Sequence, residues 1–307
     1  MSHFSVLVIG NDVEKQLQPY HEFECTGTDD EYIVELEQID ELREEYEPNE
    51  EQTFLEFVKD YTCYEVVGAE NLVVVGEDDQ LKYGYIKCDE NGEVISVVRR
   101  TNPNKKWDWW ELGGRWSGFF RAKEEVIDSE DTIKKGRAGL MGCQKDPAGV
   151  DQALKSQIDF AAMRSIAGND ARYEWNKVAK ILESEDLLHT WTSWSEARDY
   201  LHKGNIELAR EFYNNQPAVK LLKKELDIWG SPDHFLTPLE DYVQEAVDSV
   251  CVPYAVVMDG EWYAKGEMGW FGMSDDELSQ DDWNRKVNEL IDSLPDDTLM
   301  TIVDCHI

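Results

Sequence analysis

Apolar positions form two kinds of pattern along the chain, with short strand-like runs near both ends and helical periodicity in the middle. Residues 4–9 and 298–304 are apolar runs rich in β-branched side chains, and each is continuous enough to need burial on both faces. We therefore expect two strands that are antiparallel neighbours in one sheet. Residues 282–294 carry apolar side chains every three or four positions, which predicts a helix that covers one face of that sheet.

Two residue pairs mark hairpin turns between short strand-like runs. Asn91-Gly92 separates the runs at residues 83–88 and 94–99, and Asp259-Gly260 separates two runs nearer the C-terminus. These pairs suit two-residue turns because glycine, and to a lesser degree asparagine and aspartate, accept the positive φ that such turns require. The sequence therefore predicts a hairpin at each position.

Between residues 126 and 250 the strand patterns give way to successive helical segments, separated by Gly, Pro and Asn. The predicted fold class is α+β, with a mixed or antiparallel sheet formed by the N- and C-terminal segments and a largely helical middle region. Residues 1–125 and 251–307 are expected to form one α+β domain with a Trp-rich hairpin. Residues 126–250 are expected to form a helical insertion or a second domain.

Residues 107–120, WDWWELGGRWSGFF, hold four of the chain's 11 Trp residues around a Gly-Gly pair. A two-residue turn at Gly113-Gly114 would pair Leu112 with Arg115 and form a hairpin. Because side chains alternate between the two faces of a strand, one face of this hairpin would carry four rings. These rings are Trp107, Trp109, Trp116 and Phe120.

Two interpretations of this Trp cluster remain open. In one, the rings form the core of an aromatic hairpin, and Arg115 pairs with Asp108. In the other, the rings stack on a planar ligand, Arg115 holds its phosphate or carboxylate, and the two glycines let the ligand approach the backbone closely. The candidate ligand-binding residues are Trp107, Asp108, Trp109, Gly113, Gly114, Arg115 and Trp116.

Pairing of the first and last strands would place His3 beside residues from the other end of the chain. Two histidines, an aspartate and a cysteine in one patch have the donor atoms to bind Zn²⁺ or to serve in acid–base chemistry. Histidines at a sheet edge are more commonly exposed or hydrogen bonded, so we predict no metal site. The alternative set of metal ligands is His3, Asp304, Cys305 and His306.

The chain carries 30 basic and 65 acidic residues, a net charge of −35 at pH 7. This charge argues against direct binding to nucleic-acid phosphates or anionic membranes, and it suits a partner with a basic surface. Solubility or adaptation to high salt is the alternative explanation. The acidic residues are densest between positions 11 and 60, where there are 18 of them and three cations. Apolar spacing in this segment predicts helices near residues 31–46 and 50–61.

Other signatures narrow the class of protein further. The six cysteines lack a CxxC pair, and the N-terminus has no signal-peptide pattern, so we expect reduced thiols in a soluble, cytoplasmic protein. No apolar run reaches membrane-spanning length. The P-loop, GxGxxG, HExxH and GxSxG motifs are absent, so the sequence identifies no cofactor and leaves catalysis and oligomeric state undecided.

Three blocks of the chain, MSHFSVLVIG, NPNKKWDWWELGGRWSGFF and LPDDTLMTIVDCHI, resemble an uncharacterised family of acidic proteins from phages and prophages. Members of that family share a short His-Phe strand at the N-terminus, a KWDW…GGRWSG block and a TxVDCH-like end. No activity or catalytic residue comes with the resemblance. It implies a virus-encoded accessory protein in the cytoplasm of a bacterial host, a class in which many proteins blunt host defences.

These observations give two functional hypotheses. The first is a phage-encoded counter-defence protein whose acidic surface binds and inhibits a host protein that normally handles nucleic acid. The second is a binder of a nucleotide-like small molecule, or an enzyme acting on one, at residues 107–120. The partner is a host protein with a basic surface in the first hypothesis, and the Trp cluster lines the binding pocket in the second.

Overall fold

The structure is a computed structural model that describes residues 2–22, 31–48, 52–68, 80–129, 131–137, 147–201, 203–226, 230–268, 274–275 and 278–307. The fold is α+β, as predicted, because one sheet joins the two ends of the chain and most of the helices lie in the middle. The strands are β1 His3–Ile9, β2 Val34–Glu37, β3 Glu65–Gly68, β4 Gly84–Cys88, β5 Val94–Thr101, β6 Trp109–Leu112, β7 Phe120–Arg121, β8 Lys134–Lys135, β9 Gly149–Leu154, β10 Ala255–Met258, β11 Glu261–Ala264, β12 Glu267–Met268, β13 Ser274–Asp275 and β14 Leu299–His306. The helices are α1 Val13–Leu17, α2 Ile39–Glu45, α3 Phe54–Thr62, α4 Phe160–Glu183, α5 Trp194–Glu196, α6 Ile206–Asn215, α7 Pro217–Leu226, α8 Leu239–Asp248 and α9 Gln280–Ser293.

The central sheet has the strand order β11-β10-β1-β14-β9-β7, with β6 also paired to β14 and β8 to β9. β1 and β14 are antiparallel, and their register places His3 opposite His306 and Ile9 opposite Met300. This pairing confirms the predicted neighbours. Residues 4–9 are all buried, so their continuous apolar run belongs to a strand that is covered on both faces.

Apolar clusters cover both faces of the central sheet. On one face, Trp283 and Val287 of α9 belong to one cluster with Leu7 and Ile302, which confirms that the C-terminal helix covers this sheet. On the opposite face, a second cluster includes the buried side chains of Phe4, Val6, Val8, Leu17, Trp107, Val303 and Cys305. The sheet is therefore the middle layer between two apolar cores.

β9 is a strand that the sequence did not predict. Residues 149–154 pair with both β14 and β7, whereas the sequence predicted helical segments between residues 126 and 250. The helix α4 begins only at Phe160, after Asp159 caps it by accepting a hydrogen bond from the N–H of Ala162. Pairing with two strands supplies backbone partners that override local helical preference. β9 thus joins the central sheet, and the assignment of residues 126–250 to a separate insertion or domain stays a prediction.

A second sheet has the strand order β2-β5-β4-β3, and α2 and α3 cover one of its faces. Ile39 and Leu42 of α2 and Val58 of α3 are buried against this sheet. The helix predicted over residues 31–46 is wrong in its first half, because residues 34–37 pair with β5 as strand β2. The second acidic helix is confirmed as α3.

Both predicted hairpins are confirmed. β4 pairs antiparallel with β5 around Asn91-Gly92, and β10 pairs antiparallel with β11 around Asp259-Gly260. Gly92, Asp259 and Gly260 have φ values of +86°, +54° and +80°. Asp259 and Gly260 both have the positive φ that a two-residue turn requires. The two-residue turn expected at Asn91-Gly92 is wrong, because Asn91 is not among the residues with positive φ and the N–H of Gly92 donates to the carbonyl of Asp89 at 3.1 Å, which makes the loop one residue longer.

Helices α4 to α8 surround a third apolar cluster that includes Leu182, Tyr213 and Phe235. Among the described residues, no helix is long and apolar enough to cross a membrane. Four of the six cysteines are described as free thiols, Cys63, Cys88, Cys251 and Cys305, and the other two, Cys25 and Cys143, lie outside the described residues.

Candidate functional site

The predicted two-residue hairpin at Gly113-Gly114 is wrong. β6 pairs with β14 and β7 pairs with β9, so the two flanking strands have different neighbours. Gly113 and Gly114 adopt φ values of +68° and +49°, and the chain continues as a short 3-10 turn through Trp116. This loop closes on two buried aspartates from other strands, Asp151 of β9 and Asp304 of β14.

The carboxylates of Asp151 and Asp304 hold the backbone of the loop. Ser117 Oγ and the N–H of Gly118 donate to Asp151 at 2.9 and 2.5 Å, and the N–H of Arg115 donates to Asp304 Oδ2 at 3.0 Å. Both carboxylates are almost fully buried. Burial raises the pKa of Asp151, and the hydrogen bonds from Gly118 and Ser117 partly oppose that rise. The loop is therefore tied to the central sheet by buried hydrogen bonds.

The two glycines are required by the same aspartates. A Cβ at Gly113 would lie 2.3 Å from Asp151 Oδ2, and a Cβ at Gly114 would lie 2.3 Å from the Cβ of Asp304. Their positive φ values also disfavour any other residue. The space that a Cβ would occupy at each glycine is filled by an aspartate side chain, and the expectation that the glycines let a ligand approach the backbone stays a prediction.

The tryptophans of the cluster do not share one face. The ring of Trp107 is buried, stacks on His21 with centroids 4.4 Å apart, and donates its N–H to the carbonyl of Leu17 at 3.2 Å. Trp116 packs against the apolar cluster on the opposite face of the central sheet, which also contains Phe120. The core interpretation therefore holds for these two rings, although the hairpin on which it was based does not form.

Trp109 is the ring of this cluster that faces solvent, with 42% of its surface exposed. It stacks on His306 with centroids 5.1 Å apart and lies edge-on to His3 at 5.3 Å. Arg115 is exposed, and Asp108 pairs with His306 rather than with Arg115 as expected. Of the seven predicted ligand-binding residues, the structure thus places Asp108 and Trp109 together at the chain ends.

His3 and His306 lie next to each other, as predicted. Their ring centroids are 4.9 Å apart, and each ring has a carboxylate beside its Nδ1 atom. His3 Nδ1 lies 2.9 Å from Asp304 Oδ1, and His306 Nδ1 lies 2.7 Å from Asp108 Oδ1. A carboxylate at Nδ1 fixes the orientation of an imidazole. We call His3, His306, Asp108, Asp304 and Trp109 the histidine patch.

Cys305 lies outside the histidine patch, although it lies between Asp304 and His306 in the sequence. Side chains alternate along a strand, and the Cys305 side chain is fully buried in the apolar cluster on the other face. Burial raises the pKa of this thiol well above its usual value, and Asp304 adds to the rise. The alternative metal site is therefore split across the sheet. Within the described part of the chain, no group of three His, Cys, Asp or Glu residues is placed to hold a metal ion.

A cleft of about 700 Å³ adjoins the loop, and sequence reasoning missed two residues that line it, Asp151 and Arg137. Arg137 Nη2 donates to Glu111 Oε2 at 3.0 Å, and its backbone N–H donates to Ser117 Oγ at 2.6 Å. The one available signal was a lone aspartate within the apolar stretch 148–154. Nothing in the sequence paired that aspartate with a loop more than 30 residues earlier.

The densest acidic region folds as α2 and α3, which place their carboxylates in solvent. Ile39, Leu42 and Val58 are buried in the core, while the acidic positions of both helices are exposed. Tyr46, at the end of α2, contacts the ring of Phe57 in α3 with centroids 5.4 Å apart, which fixes the two helices side by side. We call the exposed carboxylates of these helices the acidic surface: Asp40, Glu41, Glu44, Glu45, Glu56 and Asp60.

Two cations lie on these helices, and Arg43 is turned away from its acidic neighbours. Its guanidinium lies over the ring of Phe54 at 5.9 Å and donates to the carbonyl of Val94 at 3.4 Å. Glu56 forms a capping box with Thr53, and hydrogen bonds from the Thr53 backbone and side chain lower the pKa of Glu56. The acidic surface therefore carries its negative charge with little local compensation.

Exposed apolar side chains lie on α3 and on β2, the strand that precedes α2. Tyr61, at the end of α3, is 62% exposed, and Val34 and Leu36 are exposed on β2. β2 is an edge strand of the second sheet. Partly exposed tyrosine and aliphatic side chains are the residues that a binding partner can bury.

Comparisons with known proteins give this chain no relative. No protein-family model, no curated protein and no solved structure matches it. The resemblance of three sequence blocks to acidic phage proteins therefore stays a prediction. What the protein binds has to be inferred from the charge, burial and contacts of its own residues.

Proposed function

We propose that this protein binds a partner with a basic surface through the acidic surface on α2 and α3. The observation that carries the proposal is the exposure of all six carboxylates on two helices in contact, beside the single exposed lysine Lys59 and an arginine that lies on Phe54. Exposed charges of one sign create a field that steers an oppositely charged partner and raises its association rate. That field falls with salt, so binding should weaken as ionic strength rises.

Apolar contacts would supply the part of the affinity that salt does not remove. Tyr61 has a large exposed ring beside the acidic surface, and Leu36 lies on the neighbouring edge strand. Interfaces combine a few buried aromatic or aliphatic anchors with a polar rim. Tyr61 is the anchor that we expect a partner to bury.

The partner that best fits this surface is a protein that normally holds nucleic acid. Such proteins present lysine and arginine to phosphates, and a row of carboxylates at the surface of a helix offers them the same sign of charge. The net charge of −35 opposes direct binding of this chain to nucleic acid. Together with the resemblance to phage proteins, this supports a phage-encoded counter-defence protein that inhibits a host nucleic-acid-handling protein in the bacterial cytoplasm.

Partner capture with a matched charge control tests this function. The variant Asp40→Asn, Glu41→Gln, Glu44→Gln and Glu45→Gln removes four charges from the acidic surface. The control variant Glu183→Gln, Glu185→Gln, Glu207→Gln and Glu211→Gln removes four exposed charges from the helical middle region. Wild type and control should capture a basic protein from a bacterial lysate, and added DNA should compete for it, while the first variant should not capture it. Absence of a basic partner, or equal capture by both variants, would contradict the proposal.

A second candidate function is small-molecule binding or acid–base chemistry at the histidine patch. The observation that favours it is that each imidazole is oriented by a carboxylate at Nδ1, with the exposed ring of Trp109 alongside. Thermal stabilisation by a panel of nucleotides tests this candidate. Stabilisation should disappear in Trp109→Ala and His306→Gln. A wild-type protein that no nucleotide stabilises would remove this candidate.

A further inference from the structure

A separate cleft of about 590 Å³ opens beside β11, the edge strand of the central sheet. Its walls combine aromatic rings with lysines, a composition that none of the sequence patterns identified. The rings are those of Phe4, Tyr20, Tyr254 and Trp262, and the lysines are Lys105, Lys106 and Lys265. A cleft of this size is in the range that holds a small molecule.

The rings of the cleft are held in place by one another. Tyr20 and Trp262 have centroids 5.0 Å apart, and Phe4 and Tyr254 have centroids 5.6 Å apart. Tyr20 Oη donates to the carbonyl of Gly260 at 2.8 Å, which fixes its ring against the β10–β11 turn. Phe4 is buried, while the other three rings are partly exposed. The cleft is therefore lined by preformed aromatic surface that still contacts solvent.

Backbone hydrogen bonds bring two of the lysines to these rings. The N–H of Lys106 donates to the carbonyl of Tyr20 at 2.7 Å, and the N–H of Lys265 donates to the carbonyl of Tyr254 at 3.0 Å. Both lysines are half-buried. In a chain with 30 basic and 65 acidic residues, three lysines around one cleft balance the carboxylates beside them, so the cleft is less negative than the chain as a whole.

Carboxylates limit how much negative charge the cleft accepts. Glu261 and Glu267 also line it, and Lys105 forms an ion pair with Glu22. These groups repel a polyphosphate, while the lysines repel a cation. A ligand with one anionic group and a flat ring matches both the charge and the aromatic walls.

We propose that this cleft binds a planar aromatic ring that carries a single anionic group, a carboxylate or a monophosphate. The ring packs against Trp262 and Tyr20, and the anionic group lies between Lys106 and Lys265. The site is distinct from the histidine patch and from the acidic surface, and it does not depend on the partner-binding function.

Calorimetric titration with two chemically different probes tests the proposal. Adenosine 5′-monophosphate and indole-3-acetate supply a phosphate and a carboxylate, and adenosine and 3-methylindole are the uncharged analogues without an anionic group. At least one anionic probe should bind with a Kd of about 1 mM or below, and its matched analogue should bind at least about tenfold more weakly. No saturable binding of either anionic probe would overturn the proposal.

Charge-reversal variants locate the binding. The double variant Lys106→Glu with Lys265→Glu should raise the Kd of the anionic probe at least about tenfold. Lys220→Glu with Lys224→Glu, an equal change of charge at exposed positions of α7, should leave its binding unchanged. Near-ultraviolet circular dichroism checks that both variants keep the native packing. Equal weakening in the two variants, or loss of binding in Trp109→Ala instead, would place the probe elsewhere and overturn the assignment.

Discussion

In the central sheet, Asp151 and Asp304 are buried and hydrogen bonded, whereas the carboxylates of α2 and α3, the helices that cover the second sheet, face solvent. Asp304 contacts His3 and the backbone of Arg115. The acidic surface has two nearby cations, one of them turned onto an aromatic ring. Carboxylates thus hold the fold together in one region, and in the other they form the surface that we propose binds a partner. Net charge alone could not distinguish the two uses.

This difference has an energetic basis. A buried carboxylate stabilises the fold only while its hydrogen-bond donors stay in place, and removing one member of such a group leaves the others buried without partners. Neutralising an exposed carboxylate changes the free energy of unfolding little, because water already solvates the charge. Substitutions in the two regions should therefore have opposite consequences for stability and binding.

The largest effect on stability should come from Asp304→Ala. The substitution leaves His3 and the N–H of Arg115 without their partner, and each buried donor that loses its acceptor costs about 1–3 kcal/mol. Urea unfolding monitored by circular dichroism measures the change. Asp40→Ala on the acidic surface is the matched control and should leave the unfolding midpoint unchanged. Equal stability of the two variants would show that Asp304 does not hold the loop.

Gly114→Ala should lower stability less than Asp304→Ala does, but more than the control variant Gly92→Ala. Both glycines have positive φ, but a Cβ at Gly114 meets the Cβ of Asp304 at 2.3 Å, while a Cβ at Gly92 meets nothing within 4 Å. Gly92→Ala therefore measures only the cost of a non-glycine residue at positive φ. Overpacking should make Gly114→Ala less stable by a further amount of about 1–3 kcal/mol. Equal losses in the two variants would mean that the loop does not pack on Asp304.

Alkaline pH should destabilise the central sheet through a buried thiol. Burial raises the pKa of Cys251 to about 12, so the folded protein holds a proton that the unfolded chain releases near its usual pKa. The stabilisation is complete below that usual pKa and is lost as pH rises toward 12. Between pH 8 and 10.5 this thiol should account for a loss of about 1–2 kcal/mol. The free energy of unfolding of Cys251→Ala should depend less on pH than that of Cys63→Ala, which removes an exposed thiol. Equal slopes of this free energy against pH would contradict the raised pKa of Cys251.

The smallest effect on stability should come from neutralising the acidic surface. The variant that removes four carboxylates from α2 should unfold at the same or a slightly higher urea concentration, because it relieves repulsion between like charges. The same variant should lose its basic partner. Unfolding of this variant would mean that the acidic surface stabilises the fold, and its loss of binding would then carry no information about recognition.

Strong local signals allowed much of the fold to be predicted. The apolar runs at 4–9 and 298–304 identified neighbouring strands, and Asn-Gly and Asp-Gly identified both hairpins. β9 was missed because its residues are compatible with a helix, and only long-range pairing with β14 decides their conformation. β2 was missed for the same reason, since its pairing with β5 overrides a helical spacing.

The candidate site was predictable only in part. Strand register alone brought His3 to His306. The Gly-Gly pair indicated a turn, but the sequence could not reveal that two aspartates from distant strands fill the space beside each glycine. The aromatic cleft was not predicted at all, because its rings come from residues 4, 20, 254 and 262, which lie far apart in the chain.

Chemical cross-linking of the captured complex tests the central claim most directly. A carbodiimide joins carboxylates to lysines without a spacer, so mass spectrometry of the product identifies the carboxylates that touch the partner. Cross-links should be concentrated at the carboxylates of the acidic surface, on α2 and α3, and should disappear when added salt releases the partner. Cross-links concentrated on the helical middle region instead, or spread evenly over the chain, would contradict the proposal that α2 and α3 form the binding surface.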